Sequence, residues 1–529
     1  TLHYFRNEYL DHVNKKRCEA AVCKELISSP CQHTCPIDTE AAVYISLIAQ
    51  KKYQDALQII KKDNPFASVL ARVCHHPCEV KCRAAEGGEA IKIRNLKRFV
   101  TDYGLSKGWM LKAVAVPKNG KGKVGVVGSG PAGLTCAFYL AQKGYEVTVF
   151  EKHPVAGGML AVGIPGFRLP REILNSDIDY IKSAGVEIRT NCTIGEDLTL
   201  DDLLSQGYKT VFVATGAHKS LSLGIPGEDS DGVLYGMEVL TTINSGKKIK
   251  LGRKVGVIGG GNSAVDAARA VLRNQSVESV TIFYRRTRKE MPAYEEEVDA
   301  ALEEGVSIQF LTAPKRIVTE NGKLFGCEFM RMKMGEVDDS GRRRPIPVEG
   351  SEFINELDTL IVSIGEEPDP SFARKVSGLD FSKWGTLVVD SETLVSSRKE
   401  IFAGGDLVTG PNTVVDAVAS GKIAAESIDQ LISGRPLERE YRLTRPSRYE
   451  EPVELSEEEA TEAKPPSMPH LASEERKGNF KEVELGLNEK QAIKEARRCL
   501  RCDLETEDGK AFLDSLKKDT KVAQEVTDA

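Results

Sequence analysis

The chain has 529 residues, 41% hydrophobic and 28% charged, enough for about three or four domains with apolar cores. A net charge of −6 gives no electrostatic reason to expect nucleic acid as a partner. No apolar run reaches the roughly 18 residues of a membrane span and no signal peptide opens the chain, so a cytoplasmic location is expected. The first residue is Thr1 rather than Met, which fits a processed chain or an excised part of a longer polypeptide.

Taken in chain order, residues 1–115 lack strand-like alternation and show helical spacing, as in EAAVYISLIAQKKYQDALQII, so a helical domain is expected there. It carries Cys18, Cys23, Cys31 and Cys35, the last followed by Pro36, and then Cys74, Cys78 and Cys82 as C-x3-C-x3-C. A further pair, Cys499 and Cys502, lies near the end. Thiolates at such spacing reach one iron–sulfur cube, and the pattern favours metal ligation in a reducing compartment over disulfides. Cys136, Cys192 and Cys327 stand singly and read as buried apolar side chains.

The linker AVPKNGKGK leads to KVGVVGSGPAGLTCAFYL, where Gly128, Gly130 and Gly133 form G-x-G-x-x-G. The next strand-like run, EVTVFE, closes on Glu151. A pyrophosphate approaches a helix N-terminus closely only where side chains are absent, and an acid at the end of the second strand accepts hydrogen bonds from an unmodified ribose, as FAD offers. About 130 residues on, KVGVIGGGNSAVDAARAVL repeats the pattern with Gly259, Gly261 and Ala264. Its next strand ends in Arg285 and Arg286, which favour the 2′-phosphate of NADP. One fingerprint alone is weak, but two with matched ribose readers point to a flavin and a nicotinamide.

The expected fold is therefore α/β, with one doubly wound dinucleotide domain inserted in another. The FAD domain takes 120–250 and 357–435, its strands including VGVVG, EVTVFE, VEIRT and TVFVATG, a crossing at IPGED, and a return through TLIVSIG, TLVVD and IFAGGD. The NADP(H) domain takes 251–356. Residues 436–480, acidic and proline-bearing, read as an extended strap that delivers a ligand helix in 481–529 to the opposite end of the molecule.

These residues together resemble the glutamate synthase small-subunit family, which includes the amino-terminal half of dihydropyrimidine dehydrogenase and the large subunit of ferredoxin-dependent NADP transhydrogenase. The matching elements run in order over residues 28–435: SPCQHTCP, DNPFASVLARVCHHPCEVKC, the FAD fingerprint, GGMLAVGIPGFRLPREI, ATGA, GGGNSAVDAAR, YRRTRKEMPAYEEEV and FAGGDLVTGPNTVVDAVASGK. The resemblance implies FAD contacts at Gly128, Gly130, Pro131, Ala132, Gly133, Glu151, Lys152, Gly158, Met159, Arg168, Ala214, Thr215, Gly216, Gly404, Gly405, Asp406, Thr413 and Val414. For NADP(H) it implies Gly259, Gly261, Asn262, Ser263, Ala264, Arg285 and Arg286. Asp406 resembles the residue that holds the ribityl chain, and the helix after it presents its positive end to the flavin. The run of glutamates after Arg286 reads as a solvated helix face, with its position alone suggesting a role at the NADP site.

Two departures from the family pattern matter. The C-x2-C pair expected ahead of Cys31 is found only as Cys499 and Cys502, which implies a permuted set of Cys31, Cys82, Cys499 and Cys502. The remaining set, Cys35, Cys74 and Cys78, is one ligand short, because Lys97 stands where the family often has Glu or Gln. Second, LHYFRNEYLDHVNKKRCEAAVCKEL resembles the C-terminal stretch of NADH-binding flavoprotein subunits of bifurcating complexes. Within residues 1–27, His12, Cys18 and Cys23 then offer three corners of a zinc site, a plain helix with two thiols, or a ligand for the incomplete cluster.

The implied activity is transfer of electrons between NADPH and [4Fe-4S] clusters, two in number, through FAD, with the hydride and electron chemistry borne by the cofactors. Partners expected are other flavoprotein or iron–sulfur subunits, or ferredoxin. The alternatives are a wiring or assembly subunit with vestigial nucleotide sites and a thiol–disulfide reductase.

Overall fold

The computed structural model describes residues 14–16, 27–109, 112–118, 120–337, 341–373, 376–453 and 464–527. His12, Cys18 and Cys23 lie outside these residues, and so does the zinc expectation.

The expected helical domain is present, with helices Pro30–Thr34, Ala41–Ala49, Tyr53–Asp63, Ala67–Val73, Pro77–Val80 and Ile93–Ser106. Ala41–Ala49 is wholly buried and largely apolar, as a helix covered on every side must be, with Ser46 donating to the Glu451 carbonyl and accepting from Arg501. Tyr53–Asp63 and Ile93–Ser106 pack on it, and so does Glu489–Arg497 from the far end of the chain. Leu487, Ala492 and Ala496 of that tail join the same core as Val43, Leu47 and Leu96. Asn488 caps the tail helix, accepting from the Gln491 backbone N–H while the Gln491 side chain accepts from that of Asn488; this reciprocal cap fixes where the helix begins.

The flavin-type sheet is parallel, in the order Ile401–Ala403, Tyr208–Val213, Lys123–Val127, Glu146–Phe150, Glu187–Arg189. Lys123–Val127 is buried from its second residue on, the continuous apolar run of a strand covered on both faces. Pro131–Gln142 and Val414–Ile432 pack against each other over one face.

A second parallel sheet runs Val233–Tyr235, Thr359–Val362, Lys254–Ile258, Ser279–Phe283, Ser307–Gln309. This corrects two expectations. The TLIVSIG strand pairs with Lys254–Ile258 in the nicotinamide sheet instead of returning to the flavin sheet, and Val233–Tyr235, placed before residue 250, pairs with it there. A four-residue strand buried throughout needs neighbours on both sides, which the middle of this sheet provides. TLVVD makes only isolated bridges. The inserted domain leaves and returns through a short antiparallel pair, Lys219–Ser220 with Glu366–Glu367, ahead of IPGED rather than at it. An antiparallel sheet of Thr312–Glu320, Lys323–Val337, Arg343–Pro347 and Phe353–Glu356 is appended to it.

From residue 464 on, the late segment acts as a clamp. Arg476 pairs with Glu303 and Glu304 at 3.2 and 3.5 Å, Phe480 stacks on Phe167, and the Val483 N–H donates to the Phe167 carbonyl at 3.0 Å. A few residues on, Glu482 takes Arg72 and Arg98, and Glu484 takes Arg94 and Arg98. One stretch of chain thus ties the nicotinamide domain to the helical domain. Among the described residues, no helix is long and apolar enough to cross a membrane.

Candidate functional site

At the first fingerprint the strand Lys123–Val127 runs into a turn whose glycines each have a separate steric reason. A Cβ on Gly128, with φ +99, would meet the Ala214 carbonyl oxygen at 2.4 Å, and one on Gly133 would meet the Gly128 carbonyl oxygen at 2.0 Å. Gly130 differs, because a Cβ there would meet nothing within 4 Å and would fill open space. That space is a cavity of about 300 Å³ at the N-terminus of Pro131–Gln142. It is lined by Gly128, Gly130, Pro131, Ala132, Glu151, Lys152, Gly158, Met159, Ala214, Thr215, Gly216, Gly404, Gly405, Asp406, Thr413 and Val414, so nearly every residue expected at the flavin comes together here.

The cavity's polar groups suit a dinucleotide. Glu151 is buried and accepts from the Ser129 N–H and hydroxyl on one oxygen and from the His153 N–H on the other. A carboxylate has about four lone-pair sites, so one remains for a ribose hydroxyl. The Thr215 hydroxyl is buried without a partner and lines the cavity, as a group awaiting a ligand would. Burial pushes the Asp406 carboxyl up to about 7, against the Asn412 N–H that donates to it. Val414–Ile432, capped by Thr413, begins at this cavity and brings its positive end with it.

Sequence reasoning missed His153 and His218, which also line the cavity; burial, with Lys152 nearby, holds His218 down to about 4. No motif surrounds either residue.

Arg168 is elsewhere. It pairs with Asp266 and Glu297, each at 2.7 Å, and lines a separate cavity that also contains Arg94, Arg269 and Glu484. The glutamate run likewise differs from its expected roles, since Glu297 binds Arg168 and Arg269 and Glu296 binds Arg94 at 3.4 Å. These carboxylates hold domains together.

At the second fingerprint, a Cβ on Gly259, with φ +154, would meet the Ser363 carbonyl oxygen at 2.1 Å, whereas one on Gly261 would meet nothing within 4 Å. The open approach to the N-terminus of Asn262–Leu272 fits a pyrophosphate. Asn262 accepts from the Tyr294 N–H, Ser263 bonds Glu366, and Ala264 is buried. Arg285 is exposed at the strand end. Arg286 is buried, and its Nε donates to the Arg343 carbonyl at 2.9 Å, so the appended sheet anchors the second arginine.

The thiols gather into the two expected groups. Cys31, Cys82, Cys499 and Cys502 line one cavity of about 30 Å³. Burial and the neighbouring thiols push Cys31 well up, and burial pushes Cys499 up to about 12. Burial disfavours the thiolates of Cys31, Cys499 and Cys502, a penalty that a cationic iron core reverses. Around Cys78 stand Cys35, Lys97 and Cys74. Among the described residues no three His, Cys, Asp or Glu side chains converge on a single metal ion; a cube instead takes each thiolate on a different iron. All described cysteines are free thiols.

Two dinucleotide folds, one inserted in the other, joined to a cysteine-bearing helical domain define a flavin- and nicotinamide-dependent oxidoreductase with an iron–sulfur module. The comparisons agree. Residues 122–421 match the pyridine nucleotide-disulphide oxidoreductase family and residues 4–109 match dihydropyrimidine dehydrogenase domain II, 4Fe-4S cluster. The chain is 40% identical to the NADPH-Fe(3+) oxidoreductase subunit beta of Geobacter sulfurreducens, over 94% of this chain and 79% of that protein. It is 42% identical to the NADP(+)-dependent formate dehydrogenase subunit beta of Moorella thermoacetica, over 90% and 71%, and 33% identical to the glutamate synthase [NADPH] small chain of Escherichia coli, over 78% and 90%. Among solved structures, FprA of Mycobacterium tuberculosis in complex with NADPH shares the fold, with TM-score 0.50 and 19% identity over 59% of this chain and 86% of that one. The chain belongs to the glutamate synthase small-chain group of the pyridine nucleotide-disulphide oxidoreductase family, the assignment its motifs implied.

Proposed function

We propose that this chain passes electrons between NADPH and two iron–sulfur clusters through FAD, as one subunit of a larger complex. The observation that carries this reading is the layout of the cores. Cys74, with Cys35 packed beside it, belongs to the same core as the flavin-domain strand Val124–Val126 and helix Leu134–Ala141. Cys31, Cys82 and Cys499, with Cys78, pack against the helical-domain core. Cys35 and Cys74 thus adjoin the flavin-domain core, Cys31, Cys82 and Cys499 adjoin the helical-domain core, and Cys78 of the inner set (Cys35, Cys74 and Cys78) joins the latter.

When bound, FAD supplies the conversion between hydride and single-electron transfer. The residues of the chain bind and orient. Gly130 and Gly261 leave room for pyrophosphates, Glu151 reads the FAD ribose and Arg285 reads the 2′-phosphate. Thr413 caps a helix whose positive end favours negative charge on the flavin. Cys31, Cys82, Cys499 and Cys502 hold the outer cluster, and Cys35, Cys74 and Cys78 the inner one. A thiol–disulfide reductase would need a cysteine pair beside the flavin; among the described residues Cys192 alone lines that cavity, and Cys136 and Cys327 are buried elsewhere.

The relatives named as beta subunits support assembly with other flavoprotein or iron–sulfur subunits, with ferredoxin as the alternative partner. Residues 1–27 serve as the docking element, with zinc on His12, Cys18 and Cys23, and the complex is cytoplasmic. Anaerobic addition of NADPH to the oxidised holoprotein should bleach flavin and then cluster absorbance with no thiol added. A flavin spectrum unmoved by NADPH would leave only a wiring subunit.

A further inference from the structure

The two thiol sets are not equivalent. The outer set presents four sulfurs to one small cavity. The inner set presents three, from residues that cap or begin short helices: Cys35 follows Pro30–Thr34, Cys74 follows Ala67–Val73, and Cys78 lies in Pro77–Val80. The fourth side of the inner set is closed by the helix Ile93–Ser106. Its first turn is pinned to the Cys78 segment, because the Arg94 N–H donates to Glu79 at 2.8 Å. Lys97, three residues on and so on the same helix face, is buried beside Cys74 and Cys78. Among the described residues, Lys97 has no carboxylate within ion-pair distance. The groups it faces are the Cys74 and Cys78 thiols.

An ammonium has no lone pair and cannot ligate iron. As a cation it attracts thiolates at short range, and that attraction is strong in a buried site. The Cys74 sulfur accepts the His76 N–H at 3.3 Å, and this bond and Lys97 work against the burial that disfavours charge on that sulfur. A cube here would have one iron without a protein ligand.

We propose that the Cys35, Cys74 and Cys78 site binds a three-iron [3Fe–4S] cluster, with the Lys97 ammonium at the corner where a cube would need its fourth donor. The inference rests on the two-cluster reading above and concerns the identity of the inner cluster. Three thiolates satisfy three irons, and the lysine takes the place of the fourth iron as local positive charge. Cluster type, net charge and hydrogen bonds to sulfur set the potential, so the inner cluster differs from the outer cube in redox behaviour.

The test uses full-length holoprotein purified anaerobically, with iron and sulfide quantified against FAD and oxidised samples followed by electron paramagnetic resonance and Mössbauer spectroscopy. The expected result is a three-iron signal stoichiometric with FAD, together with one cube. Cys35→Ser should abolish that signal, and Lys97→Cys should replace it with a second, silent oxidised cube. Lys97→Met, which keeps the site buried and adds no strong ligand, should retain the three-iron cluster if Lys97→Cys does not fold. Two cubes in the unmodified protein would overturn the inference and leave the two-cluster reading intact. Loss of the signal in Cys18→Ser with Cys23→Ser would also overturn it, by placing a fourth ligand in the opening segment. Iron for one cube only, unchanged by Cys35→Ser, would overturn the two-cluster reading and the inference with it.

Discussion

The two dinucleotide folds begin with the same turn and differ at its third small residue, Gly133 in the flavin fold and Ala264 in the nicotinamide fold. In the first, the helix sits so close to the strand that any Cβ at residue 133 meets the Gly128 carbonyl oxygen at 2.0 Å. In the second, the Ala264 methyl is accommodated and buried, while the approach of Gly259 to the Ser363 carbonyl matches that of Gly128 to the Ala214 carbonyl. The strand ends differ too. Glu151 is buried and engaged by three donors, while Arg285 stays exposed. The comparison teaches that the phosphate cradle is a backbone constraint common to both folds, whereas cofactor choice is written in helix spacing and in the single side chain after the second strand.

The largest effect should come from breaking the spacing on the flavin side. Gly133→Ala forces helix and strand apart, an overpacking strain of about 1–3 kcal/mol or more placed on the pyrophosphate contacts, and the purified protein should contain little FAD. The reverse change on the other side, Ala264→Gly, should cost only the helix propensity of about 1 kcal/mol and leave NADPH oxidation nearly intact. Flavin absorbance and melting temperature check both, and a fully flavinated Gly133→Ala protein would remove the basis of the contrast.

Next is the boundary between nucleotide folds and clusters. Neither fold uses the sulfurs of Cys499 and Cys502, so replacing both by Ser should remove about half the iron while FAD stays bound and is still reduced by NADPH. Transfer to an external one-electron acceptor should slow sharply. Unchanged iron and sulfide would refute the assignment of these residues to the outer cluster.

The strand ends provide the third contrast. Arg285→Ala removes a charge-assisted contact to the 2′-phosphate worth about 1.5–3 kcal/mol, so kcat/KM for NADPH should fall about 10- to 150-fold with that for NADH nearly unchanged. Arg286→Ala should lower the melting temperature as well, because the Arg343 carbonyl loses its donor. Equal kcat/KM for NADH and NADPH in the unmodified enzyme would exclude the arginines as readers of the phosphate.

What could be read from the sequence follows from the range of the forces involved. The glycine turns are local patterns, whereas the division of the cysteines into two sets and the folded-back tail came from the family resemblance, whose C-x2-C pair is missing ahead of Cys31 and reappears at Cys499 and Cys502. The neighbours of a buried strand are not local. TLIVSIG is an apolar run that suits the centre of either sheet, and only tertiary packing places it beside Lys254–Ile258. The same holds for Arg168, expected at the flavin from the resemblance, and for Glu297, linked to the NADP site by its position alone, which meet each other instead. His153 and His218 were illegible for lack of any spacing rule.

The smallest effect concerns the clamp that joins these regions. Arg476 holds the strap to the nicotinamide domain through Glu303 and Glu304, while its Nε donates to the Leu471 carbonyl at 2.7 Å within the strap. Glu303 is largely exposed, and Glu304 keeps Arg269 and Arg273 as partners, so Arg476→Ala leaves no buried carboxylate unpaired. The cost should be about 1 kcal/mol of strap docking, read as faster proteolytic cleavage in residues 464–480. Both nucleotide sites should stay loaded, because Phe480 on Phe167 and Glu482 on Arg72 and Arg98 still hold the far end of the clamp. A drop in FAD content in this variant would mean that the strap supports the flavin fold itself, and the two dinucleotide sites would then no longer differ only in their own helix spacing and strand ends.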